Sequence, residues 1–343
     1  MTTHAVSVLM PVLNEEATIV LAAESVLAQQ GCAPEVLIVD GRSADGTREA
    51  VQALADSGRP VRLLDNPAVI IPAALNIALR ESRTAWVARV DGHARISRDY
   101  LARALARLEH DPGLAGVGGR RHGVARTRTG RAIAAVMASH FGVGNSINHY
   151  ATEYQRTDHA SFGVYRAEAA RQVGGWDESL PVNEDVDFDH RLLEAGYRIG
   201  YDPEMVIDWH VRERLDALLN QYRRYGRGKA AMVRKNGLRA VRLRHLVPPA
   251  LVTGTLTALA LAPVWPAVLP TLLTCYAGSV AVAGVLTWWR SDRRRTSLPA
   301  TLAAFVTVHY GWGLGFLEGL LFGRRPAVAS GSTRTTTMVD VPP

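Results

Sequence analysis

The chain has 343 residues, enough for a catalytic domain of ordinary size and a further region, and a formal net charge of +7. Its only cysteines are Cys32 and Cys275, which excludes a disulfide framework and a cysteine-based zinc cluster and suits a reducing compartment. Basic residues crowd positions 212–244 and recur at 290–295, a distribution compatible with nucleic acid, anionic lipid or a phosphorylated substrate.

Strands and helices alternate through the first 90 residues. Short apolar runs between turn formers predict the strands, and helix end signals predict the helices between them. The predicted strands are 6–10, 35–39, 61–64 and 85–90, and the predicted helices are 17–30, 47–56 and 72–80. This alternation predicts an α/β fold with a mostly parallel sheet and helices on both faces.

Polar side chains follow three of these strands. Asn14 and Glu15 follow the first strand, Asp40 the second and Asp91 the fourth. Ligands of such sheets bind beyond the carboxyl ends of the strands, so we expect these side chains around one site. No G-x-G-x-x-G sequence opens the first helix and no Walker A sequence is present, which argues against a Rossmann or P-loop nucleotide site.

The fourth strand ends on Asp91-Gly92-His93. Mg²⁺ and Mn²⁺ bind proteins through one or two side chains and take further ligands from phosphate oxygens and water, so Asp91 and His93 predict a divalent metal site. Considered alone, these residues are more typical of an Asp-Gly turn that ends a strand than of a metal site. The convergence of acidic and amide side chains on one sheet edge favours the metal site.

Further polar residues lie in the second half of this region. Glu184 and Asp185 precede a predicted helix, 186–195, and alone they are typical of acidic residues at a helix start. A predicted strand, 205–207, leads to His210, and a lone histidine is more often structural than a ligand. The arginine-rich segment 122–150 is either a mobile loop that closes over the site or an interfacial segment.

The last third of the chain predicts a membrane region. No Asp, Glu, Lys or Arg occurs from 246 to 289, which is long enough for two spans, at about 246–264 and 267–289. The segment 298–322 either crosses the membrane, re-enters it or lies along the interface. Basic flanks before and after the two spans place the preceding domain in the cytoplasm. The predicted organisation is therefore a catalytic domain (1–235), a membrane domain (236–325) and a disordered tail (326–343).

Four motifs in this order resemble those of family 2 glycosyltransferases. They are Val8–Glu15, Ile38–Thr47, Arg89–His93 and Asn183–Asp185. Together with residues 72–79, they are similar to the succinoglycan-type glucosyltransferases that act on lipid-linked intermediates. The resemblance spans roughly residues 5–235, and the apolar C-terminal region is also of that type.

The resemblance implies a GT-A fold, a nucleotide-diphosphate sugar donor, Mg²⁺ or Mn²⁺ as cofactor and inversion at the anomeric carbon. The residues it implies for the nucleotide-sugar are Pro11, Val12, Asn14, Glu15, Asp40 and Asp91. The metal would be held by Asp91, by His93 in place of the family's usual second aspartate, and by His210. Asp185 would be the general base that takes the acceptor's proton.

The residues implied for acceptor or phosphate contacts are Trp176, Glu184, Gln221 and Arg224, the last two within a sequence similar to Gln-x-x-Arg-Trp. Trp176 is equally typical of a protein core. Glu15 is equally typical of a helix start, where the dipole favours an acid. The neighbouring cations Arg223, Arg227 and Lys229 suit either phosphate or anionic lipid headgroups.

Motifs and resemblance together predict a membrane-anchored inverting glycosyltransferase. It is expected to transfer a hexose, glucose for preference, from a UDP-sugar to a polyprenyl-diphosphate-linked saccharide at the cytoplasmic membrane face, in exopolysaccharide or cell-envelope glycan synthesis. No nucleic acid partner is expected. The alternatives are a polyprenyl-phosphate sugar synthase and, from another class, a non-catalytic nucleotide-binding membrane scaffold.

Overall fold

The computed structural model describes residues 4–237 and 241–323. The strands are β1 (His4–Val12), β2 (Cys32–Asp40), β3 (Val61–Asp65), β4 (Trp86–Arg89), β5 (Ala94–Ile96), β6 (Leu114–Val124), β7 (Gln155–Thr157), β8 (Val164–Arg166) and β9 (Arg198–His210). The helices are α1 (Ile19–Leu27), α2 (Thr47–Asp56), α3 (Ile71–Glu81), α4 (Tyr100–His110), α5 (Arg128–Met137), α6 (His140–Val143), α7 (Ala167–Gln172), α8 (Glu184–Glu194), α9 (Leu215–Asn236), α10 (Val247–Leu261), α11 (Val268–Arg290) and α12 (Leu298–Phe322). Short 3-10 helices cover Ile147–His149 and Leu243–His245.

All nine of these strands join one sheet. Their order is β3-β2-β1-β4-β8-β6-β9-β5, and β7 pairs with β9. Strands β1 to β4 are parallel, whereas β8 is antiparallel to both of its neighbours and β5 is antiparallel to β9. This confirms the predicted α/β class with a mostly parallel sheet, and it brings the carboxyl ends of β1, β2 and β4 to one edge.

Two hydrophobic cores lie on opposite faces of the sheet. Successive side chains of a strand point to opposite faces, so Val8 and Met10 of β1 enter the core under α1, α2 and α4. Leu9, between them, enters the core under α3, α7 and α8. Strands that are buried on both faces consist of unbroken apolar runs, and these runs are the sequence pattern that predicts them.

Several element boundaries differ from the predicted ones. Helix α2 lies where it is predicted, but β1 continues past Pro11 to Val12. Strand β4 pairs with β1 only over positions 6–9, so Pro11 lacks a ladder partner on that side, and a proline is tolerated at such a position. The segment 122–150 is not a loop: after β6 it forms α5 and α6, which pack near the C-terminal helices.

The C-terminal helices only partly match the predicted spans. Helices α11 and α12 are long and apolar enough to cross a membrane by length and composition. Helix α10 has 15 residues, which is short for a span that needs about 20. The segment 298–322 is one uninterrupted helix, which fits a crossing or interfacial segment better than a re-entrant one. The predicted tail, 326–343, lies outside the described residues.

Helix α12 packs against α9 through a row of glycines. Gly311, Gly315 and Gly319 recur every four residues on α12 and face α9. A Cβ atom on Gly315 would lie 2.0 Å from the carbonyl oxygen of Arg223, and one on Gly319 would lie 2.6 Å from the Cβ of Ala230. Small residues at this spacing allow two helix backbones to approach closely, so the row fixes α12 to α9.

We expect Gly315→Leu to lower the free energy of unfolding by about 1–3 kcal/mol, because the new side chain would force α12 away from α9. The measurement is the thermal unfolding midpoint of the full chain in detergent. Gly278→Leu is the matched control, since a Cβ atom at Gly278 would meet no described heavy atom within 4 Å. Both substitutions gain the same helix propensity, so equal midpoints for the two variants would contradict the packing role.

Candidate active site

The loops after β1 and β2 are tied together at the carboxyl edge of the sheet. The backbone N–H of Asn14 donates to Ser43 Oγ at 2.9 Å, and the Asn14 amide oxygen accepts from the N–H of Ala44 at 2.8 Å. Asn14 has a φ of 56°, a left-handed conformation that asparagine tolerates better than most residues. The N–H of Glu15 donates to Thr47 Oγ1 at 2.8 Å. Asn14 and Glu15 thus lie beside the loop that follows Asp40.

Asp40 is buried at the end of β2, with 1% of its surface exposed. Its carboxylate accepts from Ser43 Oγ at 2.5 Å and from Arg48 Nη1 at 2.8 Å. Arg48 also donates to Asp65 at the end of β3. Pro11 and Val12, which the sequence predicts to contact the sugar donor, are buried at the C-terminal end of β1. These side chains lie close together where the parallel strands β1 and β2 end.

Asp91 and His93 follow β4 on the same edge. Arg89 Nε donates to Asp91 Oδ1 at 3.1 Å, and His93 Nδ1 lies 2.8 Å from Glu15 Oε1. The hydrogen bond that His93 donates to the Glu15 carboxylate raises the pKa of His93, and the charge of Asp91 adds to this effect. Gly92 is required between them because a Cβ atom there would lie 2.7 Å from Val12 Cγ1.

His210 ends β9 and its side chain is exposed. In the antiparallel pairing of β5 and β9, Ala94 lies opposite Trp209, and these two residues are the chain neighbours of His93 and His210. Within residues 4–237 and 241–323, no three His, Cys, Asp or Glu side chains form a cluster that could hold a metal ion. The described structure therefore does not gather Asp91, His93 and His210 into one metal cluster.

Arg89 joins the start of α8 to the carboxyl edge of β1, β2 and β4, which we call the donor edge because the residues predicted to bind the sugar donor lie there. Its guanidinium, 11% exposed, donates from Nη1 to Glu184 Oε1 at 2.9 Å and lies 3.8 Å from Asp185 Oδ2. It also bonds Asp91, so one arginine contacts three carboxylates. Burial raises the pKa of Glu184 to about 7, in spite of Arg89. The predicted metal ligand and the predicted base, 94 positions apart in sequence, thus lie around a single guanidinium.

A histidine, His159, also lies near Asp185. His159 Nδ1 lies 2.7 Å from Asp189 Oδ2, and its Nε2 lies 3.7 Å from Asp185 Oδ2. Asp189 is fully buried and also accepts from Tyr165 Oη at 3.0 Å. Burial alone would raise the pKa of Asp185, but the charges of His159 and Arg89 outweigh it and hold that pKa below its ordinary value. The Asp185 side chain is 35% exposed, so a substrate can reach it.

Three residues of this site are not singled out by the sequence patterns. Arg89 has a faint signal, as the one charge in an apolar strand. Asp189 lies four residues after Asp185, hence on the same face of α8. His159 carries no local signal, because its role depends on a partner 30 positions away.

Some predicted acceptor contacts lie elsewhere. Trp176 is a core residue: its indole is 2% exposed and stacks on Phe188 with ring centroids 4.3 Å apart, so it offers no face to a sugar. Gln221 is buried in α9 and donates from Nε2 to the hydroxyl of Tyr225 at 2.9 Å. Arg224 is exposed on the same helix. Of these predicted contacts, only Glu184 lies beside the base.

Comparison with known proteins gives three findings. Residues 7–174 match the family described as "Glycosyl transferase family 2". The chain is 33% identical over 293 residues to the "Succinoglycan biosynthesis protein ExoA" of Rhizobium meliloti (strain 1021). The aligned region covers 84% of this chain and 87% of that protein. The chain is 24% identical over 239 residues to a "Dolichyl N-acetyl-alpha-D-glucosaminyl phosphate 3-beta-D-2,3-diacetamido-2,3-dideoxy-beta-D-glucuronosyltransferase" of Methanococcus voltae, covering 67% of this chain and 74% of that protein.

The fold also matches a solved structure. The mannosyltransferase PcManGT from Pyrobaculum calidifontis, solved in complex with GDP-Man and Mn²⁺, superposes with a TM-score of 0.63 at 22% sequence identity. The match covers 93% of this chain and 88% of that one. At this identity the likeness shows a common fold, which confirms the predicted GT-A type architecture.

Proposed function

The chain belongs to glycosyl transferase family 2, and from this membership we propose that it is an inverting hexosyltransferase acting on a lipid-linked saccharide. The donor is a UDP-sugar, with glucose as the hexose, and the acceptor is a polyprenyl-diphosphate saccharide at the cytoplasmic face of the cell membrane. The product contributes to exopolysaccharide or cell-envelope glycan synthesis. The printed names of the Rhizobium and Methanococcus relatives support a polysaccharide role and a lipid-linked acceptor.

One observation carries the proposal: Arg89 contacts Asp91 on the donor edge and both Glu184 and Asp185 at the start of α8. Sugar transfer needs a site for the diphosphate and a base within reach of the same anomeric carbon. A single buried guanidinium that binds both groups of carboxylates supports such an arrangement.

Asp185 acts as the general base. As the acceptor hydroxyl oxygen forms a bond to the anomeric carbon, its proton passes to the Asp185 carboxylate. The bond from that carbon to the diphosphate oxygen breaks, and the nucleoside diphosphate leaves with the electron pair. Attack opposite the leaving group inverts the configuration. The low pKa of Asp185 keeps it ionised and ready at neutral pH.

Asp91, His93 and His210 are the residues that would hold a divalent cation. The Asp91 carboxylate is the ligand type that Mg²⁺ and Mn²⁺ prefer, and one imidazole beside it would complete the one or two protein ligands that these ions take, with phosphate and water filling the rest of the shell. Glu15 occupies Nδ1 of His93, which leaves Nε2 as the ligand atom, as outer-shell carboxylates commonly do for metal-bound histidines. When bound, the cation stabilises the negative charge on the departing diphosphate.

Asp40, with Asn14 and Glu15, is assigned to the nucleoside. Because the Asp40 side chain has no exposed surface, its proposed role is to hold Ser43 and Arg48 in place beside the nucleoside. Pro11 and Val12 hold the strand end on which Asn14 and Glu15 lie.

The acceptor assignment is supported by a cavity of about 830 Å³ between His159 and the C-terminal helices. His159, which lies beside Asp185, lines this cavity together with Leu251 and Val308 of the apolar helices. A saccharide at Asp185 could therefore stay attached to a hydrocarbon carrier. The polyprenyl-phosphate synthase is less well supported, because a phosphate acceptor is already ionised and needs no base.

The function is tested by incubating the purified full chain with radiolabelled UDP-, GDP- and dTDP-sugars, Mn²⁺ or Mg²⁺, and a lipid fraction that contains the acceptor. We expect label to enter the organic phase from a UDP-hexose, EDTA to abolish this transfer, and added Mn²⁺ or Mg²⁺ to restore it. If no donor is hydrolysed or transferred, the non-catalytic scaffold becomes the better interpretation.

A further inference from the structure

Lys229 is a buried cation in the middle of α9. Its side chain lines the 830 Å³ cavity, and 5% of its surface is exposed. Among the described residues its only hydrogen-bond partner is the sulfur of Met232, at 3.5 Å, and no carboxylate lies within ion-pair distance. Burial lowers its pKa to about 8, and the charge of Arg244 contributes. An ammonium group buried in this way calls for an anion that the protein itself does not supply.

The wall around Lys229 carries more cations than anions. Arg242 Nε and Arg244 Nη2 share the carboxylate of Asp158 at 3.3 and 3.1 Å. Arg244 Nη1 also donates to the carbonyl of Asn145 at 3.5 Å. The lining Lys and Arg residues are Arg121, Lys229, Arg242 and Arg244, against the acids Asp158 and Glu194. Because Glu194 already faces His190 at 3.4 Å, the cavity holds a surplus of positive charge.

Other residues that line the same cavity are apolar: Met137, Phe141, Leu251 of α10, and Val308 and Trp312 of α12. One cavity thus has both basic and apolar lining residues, which suits an amphiphile with an anionic head. His159 also lines the cavity and lies 3.7 Å from Asp185.

We propose that Lys229, with Arg242 and Arg244, binds the diphosphate of a prenyl carrier whose hydrocarbon chain runs between α10, α11 and α12. This inference rests on the proposed function in one respect, namely that the carrier presents its sugar to Asp185. The cations act by charge-assisted hydrogen bonds to phosphate oxygens, and the apolar helices bury the first prenyl units.

The test is calorimetric binding of farnesyl diphosphate to the full chain in detergent with EDTA and without donor. These conditions separate it from the metal-dependent nucleotide site and from catalysis. We expect Lys229→Met to raise the dissociation constant about ten- to hundredfold, and Arg244→Gln to raise it in the same direction. Arg294→Met, which removes an exposed charge outside the cavity, is the matched control and should bind like the wild type.

Farnesol and inorganic pyrophosphate identify the parts of the ligand that matter. We expect each alone to bind at least about tenfold more weakly than farnesyl diphosphate. Pyrophosphate that binds as well as farnesyl diphosphate would overturn the lipid assignment. Equal binding by wild type, Lys229→Met and Arg244→Gln would overturn the site itself.

The thermal unfolding midpoint of each variant serves as the control for correct folding. Removing an unpaired buried charge should not lower the midpoint, and should raise it if the lysine has no ligand. If Lys229→Met is destabilised, Arg244→Gln decides the outcome, because Arg244 is less buried. If the proposed function is wrong, sugar transfer will be absent while farnesyl diphosphate still binds. If this inference is wrong, sugar transfer will occur while farnesyl diphosphate does not bind at this site.

Discussion

Asp185→Asn is expected to lower the turnover number for transfer to a lipid-linked saccharide by about 10²–10⁴-fold. The amide has the shape of the carboxylate but cannot take a proton at neutral pH. Asp185 contacts the site through Arg89 and His159, at 3.8 and 3.7 Å, and both contacts are too long to fix the fold. UDP affinity, measured by calorimetry with Mn²⁺, should therefore stay within about twofold of the wild type.

Asp216→Asn is the matched control for this substitution, since Asp216 is 62% exposed and pairs only with Arg214 among the described residues. It should leave the turnover number unchanged. Full transfer by Asp185→Asn would contradict a hydroxyl acceptor and favour a lipid phosphate, which needs no base. Joint loss of transfer and UDP binding would instead indicate that Asp185 holds the site together.

Local patterns were sufficient to predict the sheet and the donor edge. Apolar runs such as Val36–Val39 fix the strands because both faces are buried, and parallel strands bring their carboxyl ends to one edge whatever the details of packing. The gathering of Asn14, Asp40 and Asp91 therefore follows from the order of the elements alone.

The base side depends on contacts between distant positions, which composition and spacing do not encode. Arg89 meets Glu184 across 95 positions, and Lys229 lies in a cavity whose wall comes from six or more separate elements. Trp176 shows the same difficulty in reverse, because an aromatic residue fits a core and a sugar site equally well until its neighbours are known. Helix α10 is short because Pro263 and Pro266 follow it and cannot continue a helix. Apolar composition alone does not predict where such a helix ends.

Arg89→Met is expected to lower the free energy of unfolding by about 3–5 kcal/mol, the cost of removing one partner from a buried charge network. The side chain of Glu184, 6% exposed, would lose its counter-ion and take up a proton in the folded state. Its pKa, raised to about 7 by burial even with Arg89 present, would move higher still. The folded state then binds more protons than the unfolded one above the ordinary carboxyl range, so stability falls as pH rises.

The loss of unfolding free energy in Arg89→Met, relative to the wild type, should accordingly be larger at pH 8 than at pH 5. The measurement is chemical denaturation of the full chain in detergent. Arg62→Met is the matched control, because Arg62 and Glu81 form a surface pair at 2.6 Å with side chains 45% and 47% exposed. Its loss should cost less than about 1 kcal/mol at either pH. If Arg89→Met loses no more stability than Arg62→Met, or loses less as the pH rises, the three carboxylates do not depend on this guanidinium. The packing of α8 alone would then hold Asp185 next to the donor edge.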